Sequence, residues 1–273
     1  MQNSDLDTFK DWFSEYTRAF YTDNAEDLRN IDLKVKHTYY VCENIVGIAK
    51  EEQLGDNDLM IAETAALFHD LGRFLQYSRY KTFRDSISVN HGRLGAEVLG
   101  QENILRHLPL HEQQLIMNTV RFHNAFEVPS LEDQQHLLFL HLIRDADKLD
   151  IWRIFAEYFE GPQDQQASAV GLGLPDLPDY SKAVLSCLYE KKLATLSEVN
   201  TMNDFKLMQL SWVYDLNFRQ SFRLMAERAY ILKIESALPQ TEEIAGAISI
   251  IKKFVHEKAG AEFNSALSYE SGL

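Results

Sequence analysis

Apolar residues recur at three- and four-residue spacing along almost the whole chain, and residues that would interrupt the pattern are few, with 12 glycines and 6 prolines among 273 residues. That periodicity lays one apolar stripe along each of a series of helices. No stretch shows the strict alternation of a half-buried strand, so the expected class is all-α. A hydrophobic fraction of 45% suffices for a full core at this length. Cys42 and Cys187 lie far apart on amphipathic stretches. They read as reduced thiols of a cytosolic protein, and neither a disulfide nor a metal site rests on them. The first residues show no basic region followed by an apolar run, and nowhere do about eighteen apolar residues occur without a charge. A soluble, cytoplasmic protein without a membrane segment is expected. The net charge of -14 argues against a duplex nucleic-acid partner. A small phosphorylated ligand stays compatible, because it needs only local cations.

Taken in order, the chain opens with a helix over about Asp5 to Tyr21, with Phe9, Trp12, Phe13, Tyr16 and Phe20 on one face. A second helix starts near Asp32, carries Val35, Tyr39, Cys42, Val46 and Ala49 down one side, and has His37 in its second turn. After the break at Gly55 to Asp58, the alanine-rich run Ala65-Ala66-Leu67-Phe68 delivers His69-Asp70 at the point where Gly72 would end a helix. Burying an imidazole and a carboxylate there is costly unless each has a partner, and a divalent cation satisfies both. The segment Gly72 to Asn90 crowds Arg73, Tyr77, Arg79, Tyr80, Lys81, Phe83 and Arg84 into a stretch with no clean helical period. It reads as a loop, either solvated or in contact with the phosphates and base of a ligand.

Further helices are expected from Asn90 to about Gly100, from about His111 to Phe126 with His123 inside it, and from about Glu132 to Glu160. The last is the longest and holds Asp145, Asp147 and Asp150 between apolar flanks, an expensive place for three carboxylates without a role. Gly161 to Tyr180 holds three of the prolines and three of the glycines and is the expected linker or lid. The division is therefore 1–160 as a metal-binding core, 161–180 as linker and 181–273 as a C-terminal extension. Its helices, about Tyr180–Leu193, Asp204–Asp215, Asn217–Glu235 and Thr241–Lys258, would cover the core or form the contact of a homodimer.

His37, His69-Asp70 and the aspartates at 145 to 150 follow the order His … His-Asp … Asp. In this the chain resembles the HD-domain metal-dependent phosphohydrolases, in which four residues in that order from an all-α core bind a metal; the likeness covers roughly Asp32 to Phe159. At about 100° per residue Asp145 and Asp147 point some 200° apart, so one pocket takes one of them. Asp145-Ala146-Asp147-Lys148-Leu149-Asp150 is similar to the Asp-x-Asp-Lys-x-Asp signature of the dNTP triphosphohydrolase branch, where the second aspartate binds the metal. The resemblance thus implies Asp147, with Asp145 as the alternative. His91 and His123 fall where branches with two metals have extra histidines. In a binuclear site Asp70 would bridge, His37, His69 and Asp147 would hold one ion, and His91 and His123 the other. Asn124 stands where the HD-GYP pattern has a second histidine and no Gly-Tyr-Pro follows, so the pattern looks closer to the HD hydrolases of dinucleoside tetraphosphates. His107, His111, His136, His141 and His256 fit no slot.

The resemblance implies a hydrolase that cleaves a phosphoester or phosphoanhydride bond of a nucleotide-like substrate with a metal-activated water. One or two divalent ions are implied, of Fe, Mn, Ni, Co or Mg. Asp70, Arg73 and Lys148 are the expected catalytic groups. Arg73, Arg79, Lys81, Arg84 and Arg93 are the expected substrate-holding cations. The alternatives are a di-iron oxygenase on the same scaffold, which would use the same ligands, and a non-catalytic nucleotide sensor.

Overall fold

The computed structural model describes residues 1–128, 133–160, 167 and 170–260. Among them there is no strand, and the chain is all-α. It divides into two compact units: Met1–Asp150 with Gln163–Leu172, and Ile151–Pro162 with Gly173–Leu273. The division falls inside the longest helix rather than after it. Part of the expected linker counts with the first unit; residues 161–166, 168 and 169 of that stretch lie outside the described residues.

The first unit holds α1 (Asn3–Arg18), α2 (Ala25–Glu51), α3 (Asp56–Phe68), α4 (Leu71–Tyr80), α5 (His91–Glu102), α6 (Leu110–Phe122) and the start of α7 (Gln134–Glu160). Helix α2 begins a full two turns before the expected start. Asn24 explains it, since its side-chain oxygen accepts from the amides of Glu26 and Asp27 at 2.8 and 3.0 Å. The inward face of α2 also differs from the expected stripe. Cys42 and Ala49 are buried as expected, but Tyr39 is 40% exposed, and Ile31, His37, Val41, Asn44, Ile45 and Ile48 are buried too. Polar His37 and Asn44 face the interior because both have partners there, Asn44 donating to the Ala146 carbonyl at 3.1 Å.

Three further expectations differ from the structure. The stretch after His69-Asp70 is a loop only from Lys81 to Asn90, because α4 starts at Leu71 and runs for ten residues. Its mixture of arginines and tyrosines hides a helix whose inner face is Leu71, Phe74 and Tyr77. Gly72, accordingly, does not end α3. A Cβ there would lie 2.1 Å from the His91 carbonyl oxygen and 2.7 Å from the Gly95 nitrogen, so its role is to let the backbones of α4 and α5 touch. Likewise His123 does not sit within a helix but at the end of α6. Packed pairs α2–α3, α3–α6, α6–α5, α5–α4 and α4–α2 close a ring, and the ends of four of these helices meet inside it.

The second unit comprises the end of α7 from Ile151 with α8 (Lys182–Tyr189), α9 (Met202–Ser211), α10 (Arg219–Glu227), α11 (Tyr230–Ser236) and α12 (Glu242–Ala259). Its core forms around α9, buried at every residue. There Trp152 donates to the Gln209 carbonyl at 3.1 Å and Phe155 meets Phe205 edge-on. The single helix expected over Asn217–Glu235 is two, broken at Ala229, whose φ of 56° no α-helix continues through. No described helix is long and apolar enough to cross a membrane.

Candidate metal centre

Each candidate metal ligand is delivered by a helix or a helix end. Ala65, Ala66, Leu67 and Phe68 are all fully buried, so α3 drives its C-terminal end into the interior of the ring. His69 caps that end, and Asp70 is the residue before α4, with nothing between the two helices but this dipeptide. His91 is the first residue of α5, held there by the Asn90 side chain, which accepts from the Arg93 amide at 2.8 Å. His123 caps α6. His37 comes from the middle of α2, and Asp147 from α7.

These six side chains converge. His37 Nε2 lies 3.2 Å from His69 Nε2, and His91 Nε2 lies 3.0 Å from His123 Nε2. Asp70 stands between the pairs. Its Oδ2 is 3.4 and 3.6 Å from the Nε2 atoms of His37 and His69, and its Oδ1 is 3.4 and 3.8 Å from those of His91 and His123. Asp147 Oδ1 is 3.1 Å from His37 Nε2 and 3.9 Å from His69 Nε2, yet it is buried without an aligned hydrogen-bond donor. The triplets His37, His69, Asp70; His69, His123, Asp147; and Asp70, His91, His123 each present ligand atoms within 4.8 Å of one another. Asp145 is fully buried but belongs to none of them.

What aims the imidazoles is the far side of each ring. His69 and His123 turn Nδ1 to the carbonyls of Ala66 and Val120, at 2.7 and 2.8 Å, each three residues earlier on its own helix. His37 turns Nδ1 to Asp150 at 2.6 Å, and His91 turns it to Asp85 at 2.7 Å. An acceptor at Nδ1 keeps the proton there and leaves the Nε2 lone pair facing the centre. Four bare nitrogens and two carboxylates packed this closely repel one another unless a cation lies among them. The donor set therefore fits divalent ions that favour imidazole and carboxylate.

The electrostatics agree. Burial pushes the Asp70 carboxyl up, but Lys34, His69 and Arg73 outweigh it and hold the carboxyl well below the usual range. Asp147 is likewise held low, against burial, by His37 and His69. Burial and Lys34 press His37 down, yet Asp147 and Asp150 overcome them and its affinity for a proton rises. Burial lowers His69 in spite of Asp70 and Asp147. His91 and His123 are pushed down to about 4, by burial first and then by Arg73 and His69 respectively. At neutral pH the second pair is neutral and both carboxylates are ionised, which is the state a metal requires.

The expected substrate cations scatter. Arg73 stays near the centre, its Nε 3.5 Å from Asp70 Oδ1, but its Nη1 donates to Gln76, to the Phe83 carbonyl and to Asp85. Arg84 Nη1 donates to the Leu172 carbonyl at 3.3 Å. Lys81 is exposed and paired with Asp27 at 2.7 Å. Arg79 is exposed in the last turn of α4, where its charge reaches Tyr16, and Arg93 is exposed in the first turn of α5. Lys148 Nζ donates to the Arg144 carbonyl at 3.3 Å. Arg79, Lys81 and Arg93 are thus all exposed. The structure also brings Lys34 to the centre, its Nζ 2.7 Å from Asp70 Oδ2 and 5.3 Å from the Phe83 ring centre. Lys34 precedes His37 by one helical turn, the spacing that puts two residues on one face, and that signal was available in the sequence.

Residues 35–152 match the family model described as HD domain. No curated protein and no solved structure matches the chain. The matched segment begins just before His37 and ends just after Asp150, so it spans all six converging side chains and both carboxylates that aim them. Residues 35–152 are thus an HD domain, consistent with a member of the HD-domain superfamily.

Proposed function

We propose that this protein hydrolyses a phosphoester or phosphoanhydride bond of a small, nucleotide-like substrate with two divalent ions held at the centre. The observation that carries the reading is Asp70, which offers one carboxylate oxygen to each histidine pair. His37, His69, Asp147 and Asp70 would hold one ion, and His91, His123 and Asp70 the other. When bound, such ions lower the pKa of water toward neutrality and neutralise charge on a phosphoryl group. The chain's own contribution is orientation and charge. Asp150 and Asp85 keep the imidazoles turned inward, and Lys34 places an ammonium beside Asp70 where a phosphoryl oxygen can meet it.

The test is metal analysis of freshly purified protein together with a hydrolysis screen over mononucleotides, dinucleoside polyphosphates, cyclic nucleotides and phosphomonoesters. About two ions per chain and phosphate release from one class are expected. Tightly bound metal with no turnover of any member of the panel would overturn the hydrolase reading. Oxygen consumption by the iron-loaded, reduced protein would instead assign it to the oxygenase alternative.

A further inference from the structure

Asp85 opens the short 3-10 turn Asp85–Ile87 between α4 and α5, outside every group of candidate ligands. Its carboxylate nonetheless gathers donors from four side chains. Oδ2 accepts from His91 Nδ1 at 2.7 Å and from Asn124 Nδ2 at 3.0 Å, while Oδ1 accepts from Arg73 Nη1 and from Gln76 Nε2, both at 2.9 Å, and lies 3.0 Å from His91 Nδ1. The His91 amide approaches Oδ2 at 3.4 Å. An ionised carboxylate accepts and cannot donate, so against it His91 carries its proton on Nδ1 and presents Nε2 unprotonated. The guanidinium of Arg73 can only donate, so the Oδ1 side must be an acceptor as well.

We propose that Asp85 is a positioning residue that sets the tautomer of His91, and that through His91 it decides whether the half of the centre formed by His91, His123 and Asp70 takes an ion. The proposal rests on the two-ion reading. It separates sharply from a mere packing role in one variant. In Asp85→Asn the amide has one oxygen to share between two sets of donors. Arg73, which can only donate, claims that oxygen at the Oδ1 position, and the NH2 then takes the Oδ2 position, the nearer of the two to His91 Nδ1 at 2.7 Å against 3.0 Å. The imidazole answers by moving its proton to Nε2, the atom that would bind metal, and such a nitrogen has no lone pair to give. Asp85→Glu keeps an acceptor-only group and should keep the tautomer.

The experiment titrates the metal-free full chain with Co²⁺ alone, following the visible spectrum and heat, for wild type, Asp85→Asn and Asp85→Glu. Wild type is expected to take two ions, and Asp85→Asn to hold the first within about threefold while its second weakens about 10–100-fold. Asp85→Glu should bind its second ion more tightly than Asp85→Asn does. Two-bond nitrogen–proton NMR of the metal-free wild type, with labelled histidine, reads the tautomer directly and does not depend on any variant folding. His91 protonated at Nε2 in that spectrum would overturn the proposal, as would two equally tight ions in Asp85→Asn. Wild type that saturates at one ion would overturn the two-ion reading and this proposal with it, whereas two ions in wild type with an unaltered Asp85→Asn would sink the proposal alone.

Discussion

The centre has two halves that look alike in sequence and differ in what surrounds them. Phe68-His69-Asp70 ends α3 and Phe122-His123-Asn124 ends α6, and each terminal histidine is paired with one 32 residues earlier, His37 and His91. Both terminal imidazoles bond back to a carbonyl on their own helix, and both of the earlier ones bond to an aspartate. The resemblance stops at residues 70 and 124. Asp70 turns into the centre, where it faces both pairs, whereas Asn124 turns out to Asp85 and approaches His91 Nδ1 at 3.2 Å. One half therefore has one oxygen of Asp70 and Asp147 beside His37, and the other has the second oxygen of Asp70. An ion in the first half meets more negative charge, so the two should bind with unequal affinity.

The largest effect is expected where the halves share a side chain. Asp70→Ala should lose both ions and all hydrolysis, measured as metal content after desalting, because it removes the bridging carboxylate from each. A variant that retained one full equivalent would show the halves to be independent. Next is Gly72→Ala, whose Cβ would meet the His91 carbonyl at 2.1 Å. Backbone cannot yield there as a side-chain tip could, and a loss of about 3 kcal/mol of stability is expected by denaturant titration, with the second ion lost first. A loss under about 1 kcal/mol would mean that α4 and α5 part without strain.

Asp147→Ala and His123→Ala sharpen the comparison directly. The former should weaken the tighter ion and spare the other, and the latter the reverse, by about 100-fold or less in each case, as read by calorimetry. Asn124→Asp would make the two sequences match, yet we expect it to weaken the second ion. The new carboxylate would stand against Asp85, which now accepts from Asn124 at 3.0 Å, and like charges at that distance repel. A stronger second ion in this variant would mean that residue 124 can turn inward after all.

A smaller effect should appear in metal-free protein as pH falls. His91 and His123 are held at about 4 when folded, by burial first, against about 6.5 when unfolded. Each favours the folded state above pH 6.5 and loses that contribution as pH drops toward 4; His69 has the same sign. His37, raised, acts the other way and offsets only part. The Tm of chelator-treated protein should thus fall between pH 6.5 and 4.5, and a flat profile would contradict the burial of the second pair. Smallest of all, Lys81→Ala should leave KM within about twofold, since its ammonium is spent on Asp27 at the surface.

The parts of this centre that sequence could disclose are those tied to neighbours along the chain. His69-Asp70 stood out because an alanine-rich apolar run precedes it, and the all-α class followed from periodicity alone. Asp147 could be preferred over Asp145 through a motif together with helical geometry, and the structure puts Asp147 beside His37. What stayed hidden depends on contacts across the fold. Helix α4 buries Gln76 along with its apolar residues, so its inner face does not read as an apolar stripe. The Arg73 side chain is spent on Gln76, Phe83 and Asp85, contacts no local pattern encodes. Asp85 itself sits among Lys81, Phe83 and Arg84, where the eye goes to the cations.

The glycines that join α4, α5 and α6 bear on how such a centre can be altered. A Cβ at Gly92 would lie 2.7 Å from the Asn124 side-chain oxygen and 2.9 Å from the Arg121 carbonyl, just as one at Gly72 meets His91. Main chain rests on main chain on that side, so the distance from Asp70 to His91 and His123 is a dimension of the scaffold and not of any replaceable side chain. On the other side α2 and α7 reach Asp70 through His37 and Asp147, whose lengths can be changed one at a time. An engineer who wanted a centre for a larger cation, or a wider gap between two of them, would find the first half adjustable and the second already cast.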